Sequence, residues 1–233
     1  MFHLYGLMIG LGVLAGAWAA SLAESRRAGK KDKHAWDAVF WAVGLGVIGA
    51  RIYHVIDWWS YYSQHLLEIP AVWRGGMGIY GGILGGVIGL WIYVKKRKGR
   101  ILPLLDAGAV GLPLGQAIAR WGNYFNQELY GQPTDLPWGI YIRPENRLLS
   151  VWEYEKFHPL WLYESLWCLV IFLVLLKVVK KNQFIIYLGL YGLGRFFLEF
   201  LRIEAWTISG INVAQAISLG LILTAAGFIM GRK

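Results

Sequence analysis

Charge is scarce in this chain: 16% of its 233 residues are Asp, Glu, Lys or Arg, against about a quarter in an ordinary soluble domain. Cysteine is nearly absent. The one residue, Cys168, excludes a disulfide scaffold and reads as a small buried hydrophobe. Seven prolines and no triplet repeat exclude collagen, and a 57% hydrophobic content excludes a disordered chain. The five His (3, 34, 54, 65 and 158) are scattered, with no H-E-x-x-H and no Cys/His cluster. No metal site is therefore expected. No Ser–His–Asp triad assembles from local motifs, and no cofactor is expected; any reagent has to arrive with a substrate.

What is abundant is apolar. Thirteen Trp and thirteen Tyr supply the amphipathic rings that concentrate at membrane interfaces. Seven stretches approach the roughly 20 residues of helix needed to cross a bilayer. They lie near 2–23, 36–56, 75–94, 101–121, 159–179, 183–203 and 210–230. The pattern predicts an all-α polytopic membrane protein with seven transmembrane helices, organised as one integral membrane domain over 1–233. The first stretch lacks a basic leader and its charges follow it, so it is expected to remain as a span and not to be a cleaved signal.

Lysine and arginine set the orientation. Loop 24–34, run 95–100, turn 177–181 and tail 232–233 hold fifteen of the 23 Lys and Arg, all on one side of the alternating topology. By the positive-inside rule that side is cytoplasmic. The N-terminus then faces out and the C-terminus lies in the cytoplasm. The formal charge of +9 is thus topological, with no nucleic-acid footprint. The longest connection, 123–158, is rich in Trp, Tyr, Pro and acids and falls on the outer face as a functional loop or small cap.

Ionisable residues within spans are costly and point to function. The candidates are Arg51, Asp106, Arg120, Glu164, Arg195 and Glu199, with Arg202 at a span end. On the expected topology Arg51, Arg120 and Arg195 lie toward the outer ends of their spans. Tyr80, His158 and Glu164 share that depth, and Asp106 alone sits near the cytoplasmic end. Tyr191, Arg195, Glu199 and Arg202 recur at helical spacing and gather on one stripe. Three arginine forks at headgroup level suit a bound phosphate. Structural Arg–Glu pairing and the ion path of a transporter for an anionic solute are the alternatives. The glycines at 75, 76, 78, 81, 82, 85, 86 and 89 suit close helix packing, or a broken helix start whose N–H groups face an anion.

Arg120-Trp121-Gly122-Asn123-Tyr124-Phe125-Asn126-Gln127-Glu128-Leu129-Tyr130-Gly131 resembles the signature of the prolipoprotein diacylglyceryl transferases, G-R-x-G-N-F-x-N-x-E-x-x-G. Four further stretches are similar to family elements in the expected order: Leu4–Met8, Gly75–Gly82, His158–Glu164 and Tyr191–Arg202. Ala119, Tyr124 and Leu160 depart from the pattern, and Tyr80 stands where some members have His.

The resemblance implies an enzyme of lipoprotein maturation in the bacterial cytoplasmic (inner) membrane, with its active site toward the outer leaflet. Its substrates would be phosphatidylglycerol and the signal peptide of a prolipoprotein, met in the lipid bilayer. The sn-1,2-diacylglyceryl group would pass to the lipobox cysteine thiol, forming a thioether and releasing glycerol 1-phosphate. Catalytic roles are implied for Arg120, Arg195, Tyr80, Glu128 and His158. Substrate-binding roles are implied for Arg120, Asn123, Asn126, Glu128, Gly131, Tyr5, Tyr191, Glu199 and Arg202. An ordinary phenol titrates near about 10 and is a poor base for a thiol near about 8.5. Tyr80 is therefore expected to position substrate by a hydrogen bond. The thiol proton passes to His158, Glu128 or the leaving phosphate, or the thiol ionises through arginine proximity.

Overall fold

The structure, a computed structural model, describes residues 4–28, 34–97 and 101–231. Lys30, Lys31, Lys33, Lys98, Arg100, Arg232 and Lys233, which contribute to the expected orientation, lie outside the described residues, as does His3. The apolar runs form helices α1 (Leu4–Ala28), α2 (His34–Asp57), the short α3 (Trp59–Tyr62), α4 (Ile79–Arg97), α5 (Ile101–Asn126), α6 (Leu160–Lys177), α7 (Gln183–Leu198) and α8 (Val213–Met230). Short 3₁₀ turns and two antiparallel strand pairs complete the secondary structure of the described residues: β1 (Ile140–Tyr141) with β2 (Lys156–Phe157), and β3 (Thr207–Ile208) with β4 (Ile211–Asn212).

Among the described residues six helical segments are long and apolar enough to cross a membrane: Leu4–Arg27, His34–Asp57, Ile101–Asn126, Leu160–Lys177, Gln183–Leu201 and Val213–Met230. The protein is an all-α multi-pass membrane protein. Helix α4 falls outside that set, because its glycines and its terminal Lys95, Lys96 and Arg97 dilute its hydropathy. Helix α5 runs past the expected end at 121 to Asn126, despite the buried Pro113 in its interior, which removes one helical N–H. Helix α7 stops at Leu198, and Glu199–Leu201 tighten into a 3₁₀ turn in place of a single helix to 203.

Contacts divide the chain into two compact units, Glu24–Leu104 and Met1–Ala23 with Leu105–Lys233. In the unit Glu24–Leu104, α2 packs along α4. A Cβ added at Gly81, Gly85 or Gly89 would collide with the carbonyls of Gly49, Leu45 and Trp41, so these three glycines set the helix spacing. Gly82 and Gly86 are looser, with a Cβ there 3.5 Å from Ala50 Cβ and Ala42 O respectively.

The expected helix start at 75 is corrected to 79. Gly75 and Gly76 have φ of +86° and +73°, a region open to glycine, and they turn their carbonyls onto Arg51 Nη1 at 2.7 and 3.0 Å. Arg51 also donates to the carbonyls of Glu68 at 2.6 Å and Ile69 at 2.7 Å. Its fork is occupied by backbone, which overturns the expectation that Arg51 joins Arg120 and Arg195 in holding a phosphate. Beside it, the Glu68 carboxylate accepts from Tyr61 Oη at 3.0 Å and pairs with Arg74 Nη1 at 2.6 Å. Those two contacts hold the Glu68 carboxyl below the usual carboxylate range.

In the other unit, α1 meets α5 through glycines: a Cβ at Gly111 would collide with the Gly16 carbonyl. Ala19 and Ala23 of α1, Ala109 and Val110 of α5, Ile171, Phe172 and Leu175 of α6 and Tyr187 of α7 form the core. Helix α8 lies on α7, where a Cβ at Gly192 would come within 2.9 Å of the Ser218 carbonyl. Asp106 Oδ1 of α5 accepts from the Phe184 N–H at 2.8 Å, placing a carboxylate at the positive end of α7.

Between α5 and α6 the chain folds on a small core of its own. Phe157, Ile142, Tyr130 and Val151 are buried together under the β1–β2 pair. Tyr130 Oη donates to the Asn146 carbonyl at 2.9 Å and accepts from the Leu148 N–H at 2.7 Å. Burial pushes this phenol above its ordinary pKa.

Candidate active site

Five side chains from three helices and the turn after α7 form an alternating line of charge. Arg120 Nε of α5 lies 2.6 Å from Glu164 Oε2 of α6. The other oxygen of Glu164 accepts from Arg195 Nη1 of α7 at 3.2 Å. Arg195 Nη2 lies 2.7 Å from Glu199 Oε2, and Arg202 Nε reaches the same oxygen at 3.8 Å. The expected stripe on α7 is therefore continued across helices by Glu164, one of the span carboxylates singled out above. The tertiary contact between three segments is what defines it.

Three guanidinium groups and two carboxylates leave one positive charge uncompensated. The two ends of the line are its most accessible members. The side chain of Glu199 is 1% exposed and that of Arg195 19%, while those of Arg120 and Arg202 are 28% and 27% exposed. Arg195 uses both terminal nitrogens on carboxylates. Arg120 is paired through Nε alone, and its two terminal nitrogens have no partner among the described residues. A planar fork with free donors beside a surplus positive charge is suited to an anion carrying several oxygens, such as a phosphate.

The signature residues after Arg120 fold back toward Arg202. Helix α5 ends at Asn126, and Gln127 and Leu129 adopt φ of +53° and +54°, a strained conformation outside glycine. Gln127 Oε1 anchors this reversal by accepting from Arg143 N at 3.0 Å and Asn146 Nδ2 at 3.2 Å. Glu128, between the two strained residues, accepts from buried Asn123 Nδ2 at 2.8 Å, while its own N–H donates to the Asn123 carbonyl at 2.9 Å. Asn126, Glu128, Asn146, Arg202 and Glu204 line a common cavity of about 390 Å³. Asn146 and Glu204 are not among the expected site residues; they come from a 3₁₀ turn and a loop with no motif to mark them.

The remaining candidates have plainer surroundings. Gly131 is wedged where a Cβ would meet the Leu201 carbonyl at 2.9 Å and His158 Cβ at 3.1 Å. His158 Nδ1 lies 3.2 Å from Tyr163 Oη, which also accepts from Trp138 Nε1 at 2.8 Å. Tyr5 lies against Gly122, with its Cδ2 2.9 Å from where a Cβ there would sit. Tyr191 stacks on Tyr187 with ring centroids 5.8 Å apart. Tyr80 belongs to the unit Glu24–Leu104, where it is exposed at the start of α4 with its ring 5.9 Å from that of Tyr53. Among the described residues no group of His, Cys, Asp and Glu is arranged to hold a metal ion.

A family model described as prolipoprotein diacylglyceryl transferase matches residues 1–231. Three similar proteins carry the name phosphatidylglycerol–prolipoprotein diacylglyceryl transferase. That of Fervidobacterium nodosum is 40% identical over 206 residues, covering 84% of this chain and 70% of the relative. That of Trichormus variabilis is 39% identical over 235 residues, covering 96% and 83%. That of Finegoldia magna is 39% identical over 235 residues, covering 98% and 90%. The transporter alternative finds no support among these similarities. With the five sequence motifs and a match over nearly its whole length, the chain belongs to the prolipoprotein diacylglyceryl transferase family.

Proposed function

We propose that this transferase moves the sn-1,2-diacylglyceryl group of phosphatidylglycerol to the lipobox cysteine thiol of a prolipoprotein. The substrate sulfur attacks the glycerol carbon that bears the phosphate ester, a C–S bond forms and the C–O bond breaks. The electron pair leaves on the phosphate oxygen of glycerol 1-phosphate, and the thiol proton goes to His158, Glu128 or the departing phosphate. The nucleophile belongs to the substrate, so the protein has to bind, orient and hold charge. The observation that carries the reading is the free fork of Arg120 next to a line of charge with one positive excess.

In this reading Arg120 holds the lipid phosphate. Asn123, Asn126, Glu128 and Arg202 shape the place of the glycerol headgroup, supported by the cavity that three of them line. Arg195, set between Glu164 and Glu199, fixes the charge geometry at the reacting end. Tyr5, Tyr191 and Gly131 shape the walls, and Tyr80 positions substrate. Seven spans, α4 included, form one integral domain over 1–233 in the bacterial cytoplasmic membrane, with the N-terminus outside and the C-terminus in the cytoplasm. Residues 123–158 are its outer-face cap, and the site opens toward the outer leaflet. The basic clusters at loop 24–34 and run 95–100 support that orientation.

The test is incubation of detergent-purified protein with phosphatidylglycerol and a lipobox peptide. The expected result is release of glycerol phosphate together with a peptide bearing a thioether-linked diacylglyceryl group. Absence of both overturns the reading. Arg120→Ala should lose roughly 10- to 100-fold in lipid affinity or turnover, the equivalent of a charged hydrogen bond of about 1.5–3 kcal/mol. Arg120→Lys should recover only part of it.

A further inference from the structure

We propose that Arg51 is a positioning residue for the transfer reaction, acting through the segment 68–80 whose carbonyls it gathers; this rests on the transferase reading above. A guanidinium has five N–H donors. Four hydrogen bonds from Arg51 go to the carbonyls of Glu68, Ile69, Gly75 and Gly76, at 2.6 to 3.0 Å. The residue is 6% exposed, with its cation 5.1 Å from the centroid of the Tyr62 ring. Among the described residues no carboxylate pairs with it, so the carbonyl dipoles are its only hydrogen-bonded compensation for a buried charge.

That arrangement couples the arginine to the shape of the segment. If the carbonyls turn away, a buried cation is left bare; if the cation is removed, four inward-facing carbonyls lose their donors. The two consecutive left-handed glycines supply the turn that brings carbonyls 75 and 76 onto one nitrogen. The Gly78 N–H then bonds the Ala50 carbonyl of α2 at 2.9 Å, and α4 starts at the next residue. Tyr80 is the second residue of α4, its ring beside Tyr53, which is two positions from Arg51 on α2. The clasp thus fixes the backbone that carries Tyr80. With its fork filled by backbone, Arg51 has almost nothing left to donate to a substrate phosphate, which separates its role from that of Arg120. Lysine, a point donor without the fork, does not reproduce four separated bonds.

The experiment uses the full chain in detergent, with Arg51→Lys, Arg51→Ala, Tyr80→Phe and the double variant Arg51→Lys/Tyr80→Phe. Two quantities are read: amide hydrogen exchange over 66–80, and steady-state transfer from phosphatidylglycerol to a lipobox peptide. Expected for Arg51→Lys is a loss of amide protection and a fall in kcat of roughly tenfold or more, with a smaller change in KM. Millimolar guanidinium should restore part of the activity of Arg51→Ala. In the Tyr80→Phe background the cost of Arg51→Lys should shrink, since both changes act along one route. Lost protection with unchanged turnover overturns the proposal, as does lost turnover with protection intact. Effects of the two substitutions that simply multiply overturn it as well. If Arg51→Ala does not fold, Arg51→Lys carries the same readouts. A wild-type protein that forms no thioether sinks the transferase reading and the proposal with it, and is told apart from the other failures because the exchange measurement needs no substrate.

Discussion

Arg120 and Arg195 take opposite oxygens of one carboxylate, with Glu164 Oε2 2.6 Å from Arg120 Nε and Oε1 3.2 Å from Arg195 Nη1. Glu164 therefore sets the separation of the two guanidinium groups as well as neutralising one of them. Glu164→Gln keeps the side chain's shape and removes its charge, leaving three arginines facing Glu199 alone. Breaking a buried pair in this way costs about 3–5 kcal/mol. A lower thermal midpoint in detergent and a fall in transferase turnover are expected together. An unchanged midpoint would show that the pairing contributes little to the fold.

Arg195 bridges two carboxylates, whereas Glu199 ends in contacts with Arg195, Arg202 and Asn212. Arg195→Ala should abolish turnover while the protein stays folded and membrane-inserted. Glu199→Gln should weaken activity less, because Arg195 keeps Glu164. Size-exclusion profiles and transfer assays on the two variants check this ordering. Near-normal activity of Arg195→Ala would make the line of charge purely structural.

Tyr80→Phe removes a hydroxyl and keeps the ring that packs beside Tyr53. A positioning hydrogen bond should cost well under the roughly 10²-fold at which loss of a general base begins. The pH–rate profile should keep its shape. A greater loss, with one limb of the profile missing, would return the role of base to Tyr80.

Two neighbouring glycines of α4 offer an internal contrast. A Cβ at Gly85 would collide with the Leu45 carbonyl of α2, whereas one at Gly86 would lie 3.5 Å from the Ala42 carbonyl, an ordinary contact. Gly85→Ala should lower stability by about 1–3 kcal/mol, the usual cost of overpacking, and Gly86→Ala should be near neutral. Thermal unfolding of the two variants decides. Equal effects would mean that α2 and α4 are not held at the spacing described.

Much of this architecture was legible in the chain. Apolar run length located the six helical segments long and apolar enough to cross a membrane, and the spacing of Arg195, Glu199 and Arg202 placed on one stripe the side chains that pair there, with pairing as one of the alternatives. The use of Arg51 was not legible, because its partners are backbone carbonyls, which every residue possesses and no pattern marks. Glu164 stood out as a charge in a span, but that it bridges Arg120 and Arg195 is a property of three helices meeting. The reversal at Gln127 and Leu129 was hidden for a different reason. Both take a left-handed conformation at which sequence reading expects glycine.

Helix α7 carries the Arg195 ion pairs toward one end and is fastened at the other. Asp106 grips the Phe184 amide at the start of the helix, and Arg195 follows roughly 16 Å further along at about 1.5 Å per residue. A helix is a stiff post. Its footing decides the height of everything mounted on it, and a shift at the foot arrives undiminished at the top. Asp106 is in this sense a levelling screw for the Arg195–Glu164 contact. On the proposed function, a lesion there should present itself as a catalytic defect although the residue is about three helical turns from the arginine.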